Sequence, residues 1–264
     1  MDGNSGTAPL EDAGIFNLLD IPIRNVSMTK ALEMILEAVD TYTPLRGAYE
    51  MHFVNAHCIN VAARQEPYLE ILKQARAVFA DGTGIRKAGE QLGTPIIDNV
   101  NGTDLFPLLC KECARLGKLL YLLGAAPGVA EKTARWAEAH AGVPIVVGYQ
   151  DGFFPPEQTT QVIERINAAK PDILLVAMGV PRQELWVSEH LKSLAVPVCM
   201  GVGGLFDFYS GTIPRAPGWM RRLGIEWIWR LLMEPRRMWK RYIIGNVEFL
   251  LRIRKIKRES AHKR

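Results

Sequence analysis

The sequence predicts an α/β protein: a Rossmann-like, largely parallel sheet with helices on both faces, plus a basic amphipathic helical appendage at the carboxyl end. Three observations predict it. Short apolar runs of strand length alternate with helix-length stretches along most of the chain. Those runs are apolar at successive positions, as strands covered on both faces must be. Charge is divided between two parts: residues 215–264 carry a net +11 and residues 1–214 a net −7, within an overall +4.

The elements follow in order. A helix is expected over 28–39, then strands "MHFVN" (51–55) and "AVFAD" (77–81), rich in β-branched and aromatic residues. Helices over 84–92 and 103–116 precede the strand "KLLYLLG" (118–124), and "AAPGVAEKT" opens a helix over 128–141. The strand "PIVVGY" (144–149) leads to a helix over 157–169. Pro171 ends that helix before the strand "DILLVAMG" (172–179). A helix over 181–193 and the strand "VPVCMGVG" (196–203) complete the body. The 264 residues suit one globular unit with an appendage, divided as 1–215 and 216–264. The acidic start "MDGNSGTAPLEDAG" has no basic or apolar region, so no secretory signal is expected. The apolar runs fall far short of the roughly 20 residues a spanning helix needs. A cytoplasmic location is expected.

In open α/β sheets, ligands gather at the carboxyl ends of the strands. The residues leaving these strands are small or polar: Asn55, Asp81-Gly82-Thr83-Gly84, Gly124 to Gly128, Gly179 to Gln183, and Gly201 to Gly204. Glycine lets a ligand approach the backbone, and a helix start behind it favours phosphate, so a nucleotide diphosphate suits such a crevice. The standard motifs are incomplete. "GAAPGVAEKT" is not a P-loop, and "GTGIRK" and "GVGGLF" both fail the dinucleotide pattern. There is no D-x-D pair to bridge a metal to a sugar nucleotide, and the five histidines form no metal-spaced set, so neither metal nor cofactor is expected. His57 follows a strand-end Asn by two residues and could stand near a site or simply be buried. Cys110 and Cys113 form a CxxC inside a helical stretch with no second ligand pair, which reads as plain reduced thiols.

"VFADGTGI", "NGTDL", "LYLLGAAPGVAEK", "DILLVAMGVPRQELW" and "GVGGLFDFYSGTIPRAPGWMRRLGIEWIWRLLMEPRRMWKRY" occur in this order. Together they resemble the WecG/TagA/CpsF glycosyltransferase family over residues 15 to 252. The resemblance implies an inverting, metal-independent hexosyl- or N-acetylhexosaminyltransferase. Its donor would be a UDP-sugar, and its acceptor a sugar on undecaprenyl diphosphate at the inner membrane face. It implies Asp81 as general base, taking the acceptor hydroxyl's proton as the anomeric carbon inverts. The alternative is that Asp81 caps the helix beginning near Gly84. The same resemblance makes Gln183 a donor or acceptor contact, against a water-facing residue early in its helix. Asn55, Gly82, Thr83 and Gly124 line the strand ends. Asn101, Gly102 and Asp104 fall in the family's "GxDL" element, where Asp104 could contact substrate or complement a helix dipole. Asp207 is open between a substrate contact and a structural role. Two departures stand out: Phe53 and Asn99 occupy positions where the teichoic-acid branch has Thr and Arg. They make the chain look closer to the exopolysaccharide, xanthan-type glucosyltransferases, so UDP-glucose is favoured as donor, with UDP-N-acetylmannosamine next.

The resemblance also implies that the carboxyl-terminal segment docks on the membrane and brings Arg230, Arg237 and Lys240 toward the leaving UDP or the lipid diphosphate. Guanidinium forks suit phosphate, whereas Lys240 is a point charge that could equally face solvent. The residues themselves agree. Trp239, Ile243, Val247 and Leu250 make an apolar stripe at helical spacing, amid basic residues, and Trp219, Trp227, Trp229 and Trp239 all fall in this segment. A basic amphipathic helix with Trp fits an anionic bilayer surface. The stripe would alternatively cover the body or a second copy of the chain. A nucleic-acid-binding reading of the tail is disfavoured by the acidic body, and an inactive membrane scaffold by the intact Asp81 and Gln183.

Overall fold

The computed structural model describes residues 14–45 and 47–262, so the acidic start expected to lack a signal lies almost wholly outside the described residues. Two short strands, β1 (Ile15–Leu18) and β2 (Ile21–Arg24), form a hairpin that precedes α1 (Met28–Asp40). Next come β3 (Tyr49–Val54), α2 (Ala56–Ala62), α3 (Glu66–Gln74), β4 (Ala77–Ala80), α4 (Gly82–Leu92) and α5 (Gly102–Leu116). The second half runs β5 (Leu120–Gly124), α6 (Val129–Ala141), β6 (Val146–Gln150), α7 (Thr159–Ala169), β7 (Ile173–Ala177), α8 (Arg182–His190), β8 (Val198–Gly201) and α9 (Leu205–Tyr209). The tail holds α10 (Gly218–Arg222), α11 (Glu226–Met233), α12 (Pro235–Trp239), a π-helical turn (Lys240–Ile244) and α13 (Gly245–His262).

The eight strands make one sheet in the order β1-β2-β4-β3-β8-β7-β5-β6, parallel apart from the β1–β2 pair. The predicted parallel α/β class holds. Side chains alternate across the sheet. Met51, Phe53, Leu122, Leu175 and Met200 point to the face covered by α1, α5 and α6. Val54, Val78 and Ala80 point to the other face, under α2, α3 and α4, and Leu123, Leu174 and Val176 under α7 and α8. Two halves of the sheet meet where β3 pairs with β8. The loops leaving β3, β4, β7 and β8 therefore converge at the carboxyl edge, the crevice expected for a ligand.

The 216–264 segment is more than an appendage. On α13, Phe249 and Ile253 are buried in the same cluster as Ile59, Tyr68 and Ile85. Asn60 of α2 donates to the Gly245 carbonyl at 2.7 Å, and Arg64 pairs with Glu248. The opposite side of the segment is open: Trp239, Ile243, Val247, Leu250 and Leu251 are all exposed. The predicted stripe is thus an outward face, while a second stripe the periodicity did not single out completes the core. No helix among the described residues is long and apolar enough to cross a membrane.

Candidate active site

Asp81 ends β4 and occupies the position before α4, yet its side chain makes no capping hydrogen bond. That removes the capping alternative. Its Oδ2 accepts instead from the Asn55 amide at 3.2 Å. Asn55 ends β3, and its own carbonyl oxygen caps α2 by accepting from His57 N–H and Cys58 N–H. One residue therefore locks a helix start and steers the Asp81 carboxylate. Burial pushes the Asp81 carboxyl up from 3.8 to about 6; the Asn55 bond and the Arg241 charge oppose this, and Glu226 and Asp104 add to it. An acid poised there is charged at neutral pH and still basic enough to take a hydroxyl proton.

The turn after Asp81 needs glycine, because Gly82 sits at φ +85°. Its N–H is held by the Asn99 side chain. Phe53 packs under Gly102, where an added Cβ would come within 3.4 Å of its ring. Both departures from the family pattern thus have packing or hydrogen-bonding roles here. Asn101 caps α5 by accepting from Asp104 N–H, and its amide donates to the Asp104 carboxylate at 2.7 Å. Asp104 also pairs with Arg215 at 2.9 Å, tying the start of α5 to the tail. Gly124 is dictated by backbone approach: at φ +130°, a Cβ would lie 2.5 Å from the Ala177 carbonyl oxygen.

Gln183 is not a water-facing residue. It is 2% exposed, and its Oε1 accepts from Gly179 N–H at 3.2 Å and Gly203 N–H at 3.0 Å. Its amide donates to Glu184 Oε1 at 2.9 Å. Gln183 thus fastens the loops after β7 and β8 to each other. Below it lie buried Glu184 and His52, and His52 Nε2 is 2.8 Å from Glu50 Oε1. The carboxyl of Glu184 is raised, chiefly by burial. Sequence reasoning missed this network, since a lone His and scattered Glu residues carry no spacing signal. A cavity of about 290 Å³, lined by Tyr49, Glu50, Ile71 and Arg76, opens at the opposite edge of the sheet, away from the Asp81 strand end.

The tail folds over this edge. The Thr83 methyl would lie 2.3 Å from a Cβ on Gly224 in the α10–α11 turn, so Thr83 is covered by the tail. Arg230 lies against Gly204, 5.1 Å above the Phe208 ring, and is neutralised by Glu234 at 3.4 Å and Asp207 at 3.9 Å. Burial raises the Asp207 carboxyl, and Arg230 opposes that. Arg237 pairs with Glu234 at 2.7 Å and is largely exposed. Lys240 is exposed, whereas its neighbour Arg241 turns inward. His57 is pulled down to about 4 by burial, then by Arg241 and Arg64, so it stays neutral. Cys110 and Cys113 are free, buried thiols, as read from the sequence. Among the described residues no group of His, Cys, Asp or Glu is arranged to hold a metal ion.

A parallel α/β sheet with a partly buried carboxylate at a strand end and a basic flap over it has the form of an enzyme site at the carboxyl edge of the sheet. The particular family follows from comparison with known proteins. The model of the glycosyl transferase WecG/TagA/CpsF family matches residues 16–263, and the chain belongs to that family. It is a glycosyltransferase. It is 33% identical over 253 residues to an N-acetylglucosaminyldiphosphoundecaprenol N-acetyl-beta-D-mannosaminyltransferase of Staphylococcus aureus strain MW2, covering 92% of this chain and 93% of the relative. Proteins of the same description from strains NCTC 8325 / PS 47 and MRSA252 match to the same extent. These relatives lend no support to the glucose preference read from Phe53 and Asn99.

Proposed function

We propose that the chain transfers an N-acetylhexosaminyl unit from a UDP-sugar, with inversion, to a sugar carried on undecaprenyl diphosphate. The observation carrying this reading is the Asp81 carboxylate, released from capping and steered by Asn55 at the strand-end crevice. In the reaction, Asp81 takes the acceptor hydroxyl's proton. The acceptor oxygen bonds to the anomeric carbon as the bond to UDP breaks, and UDP leaves with the electron pair. Arg230, Arg237 and Lys240 would offset the diphosphate charge, so that no bound metal is required. Arg230 and Arg237 now pair with Glu234, so their service to a phosphate would require exchanging that partner.

N-acetylmannosamine is the donor sugar the relatives favour, since their names specify β-mannosaminyl transfer to an N-acetylglucosaminyl lipid. The membrane contact would be the exposed Trp239–Leu251 face, flanked by basic residues on the cytoplasmic side, with each basic residue near an anionic surface contributing about 1 kcal/mol. The test is a panel of UDP-sugars against synthetic lipid-linked mono- and disaccharides, with the product linkage read by NMR. β-Linked N-acetylmannosaminyl product from an N-acetylglucosaminyl lipid is expected. Transfer of glucose alone would reinstate the glucose reading, and no transfer from any UDP-sugar would refute the proposal.

A further inference from the structure

Gln183 ties two glycine loops together only while its amide faces one way. Its Oε1 takes N–H groups from Gly179 and Gly203, in the loops after β7 and β8. Turned over, the amide would set its NH2 against two backbone donors, and both bonds would be lost. The orientation is therefore decided at the other end, by what accepts from Nε2. One acceptor is Glu184 Oε1, at 2.9 Å. The NH2 group has a second N–H, and His52 lies beside it. Strand register sets His52 of β3 opposite Gly201 of β8. A Cβ on Gly201 would come 2.8 Å from Gln183 Nε2 and 2.9 Å from His52 Nδ1, so both nitrogens border the same small space, which glycine leaves free. His52 is fully buried, and its Nδ1 has no hydrogen-bond partner. Its Nε2 stands 2.8 Å from Glu50 Oε1. A carboxylate only accepts, so Nε2 carries the imidazole proton and Nδ1 presents a lone pair. That lone pair attracts the N–H side of the Gln183 amide and repels its oxygen.

We propose that His52 is a positioning residue of this transferase: held by Glu50, it fixes the Gln183 amide so that the loops after β7 and β8 keep the rim of the site in shape. Its effect on turnover rests on the UDP-sugar reading above, whereas its hold on the two loops does not. His52 acts through Gln183 and touches no substrate. The tie matters because the loops have little else to hold them. Gly179 and Gly203 lie at φ +81° and +59°, and a Cβ on either would meet nothing within 4 Å. The Gly203 loop also carries Gly204, against which Arg230 lies. Glu50 lines the cavity at the opposite edge of the sheet, so the chain Glu50–His52–Gln183 runs through the sheet layer from that cavity to the rim of the site.

The experiment compares His52→Asn, His52→Gln and Glu50→Gln in the full chain, each alone and in a Gln183→Ala background. Asn can set an acceptor where Nδ1 stood. Gln reaches Glu50 in place of Nε2 but leaves Gln183 without that acceptor. Amide hydrogen exchange is followed at Gly179 and Gly203, and kcat and KM are taken with a UDP-sugar and a lipid-linked acceptor. His52→Gln is expected to speed exchange at both glycines and to lower kcat, each by roughly tenfold, the scale of one lost buried hydrogen bond. His52→Asn should change both far less at a similar melting temperature, and Glu50→Gln should shift both in the same direction as His52→Gln, by less. With Gln183 already Ala, none of the three should lower kcat further. Equal effects of the Asn and Gln changes, or a kinetic loss that persists undiminished in the Gln183→Ala background, would make His52 a packing residue only and overturn the inference. If neither His52 variant folds, Glu50→Gln decides, and unchanged exchange at both glycines would overturn it. A chain that showed the expected exchange pattern but transferred no sugar from any UDP-sugar would instead remove the functional reading.

Discussion

Replacing Asp81 by Asn should stabilise the protein while disabling it. The folded carboxyl ionises near pH 6 against an ordinary 3.8, chiefly because it is buried. Between those values the folded state keeps a proton that the unfolded chain has released, so stability falls as pH rises through this window. Above pH 6 the unmodified protein carries the whole penalty, at most about 3 kcal/mol and less to the extent that water reaches the partly exposed group. Asn cannot ionise and can still accept from the Asn55 amide. Urea unfolding of both proteins from pH 5 to 8 measures the difference. The variant should be more stable by up to about 3 kcal/mol at pH 7.5 and by about half that at pH 5. Transfer should fall by roughly 10²–10⁴-fold, the usual contribution of a general base. A variant that is less stable at pH 7.5, or whose advantage does not shrink on acidification, would refute the picture of a strained carboxylate. Undiminished transfer would remove Asp81 as base.

Further outcomes follow from the same geometry. Asn55→Ala loses both the α2 cap, worth about 1 kcal/mol, and the bond to Asp81, so its acidic limb should lie above that of the unmodified enzyme. Asn55→Asp keeps the cap but adds a like charge beside Asp81, and should move the limb further while lowering thermal stability at neutral pH. Glu substitutions at Trp239, Ile243 and Leu251 should each weaken binding to vesicles containing anionic lipid by tenfold or more, read by cosedimentation, and leave the melting temperature nearly unchanged. Point changes are preferable to deleting 216–264, because deletion also uncovers the partners of Phe249 and Ile253. EDTA should leave transfer unaffected; a loss restored by Mg²⁺ or Mn²⁺ would contradict a metal-free reaction.

Much of the fold was legible locally. The strand expected at 77–81 is β4 (Ala77–Ala80), and that at 172–179 contains β7 (Ile173–Ala177). Both are continuous apolar runs ended by Asp or Gly, a pattern only a doubly covered strand requires. The β1–β2 hairpin was missed because its turn, Leu19-Asp20, lacks glycine and yet has both residues at positive φ, +55° and +61°. The helices between β3 and β4 were missed as well, although Asn55 as a cap and Pro67 in the first turn of α3 were usable signals.

By itself, the sequence determined the parallel α/β class, the strand ends where chemistry gathers, Asp81 among them, and the basic, tryptophan-rich tail. These follow from periodicity, glycine and charge, which are local properties. Tertiary structure alone decided that Asp81 is held by Asn55 instead of capping α4, and that Gln183 is buried as a tie between two glycine loops. It also decided that α13 has one face in the core and the other open, and that Arg241 rather than Lys240 turns inward. Each depends on contacts between distant segments and on helical phase across a π turn, neither of which local spacing encodes.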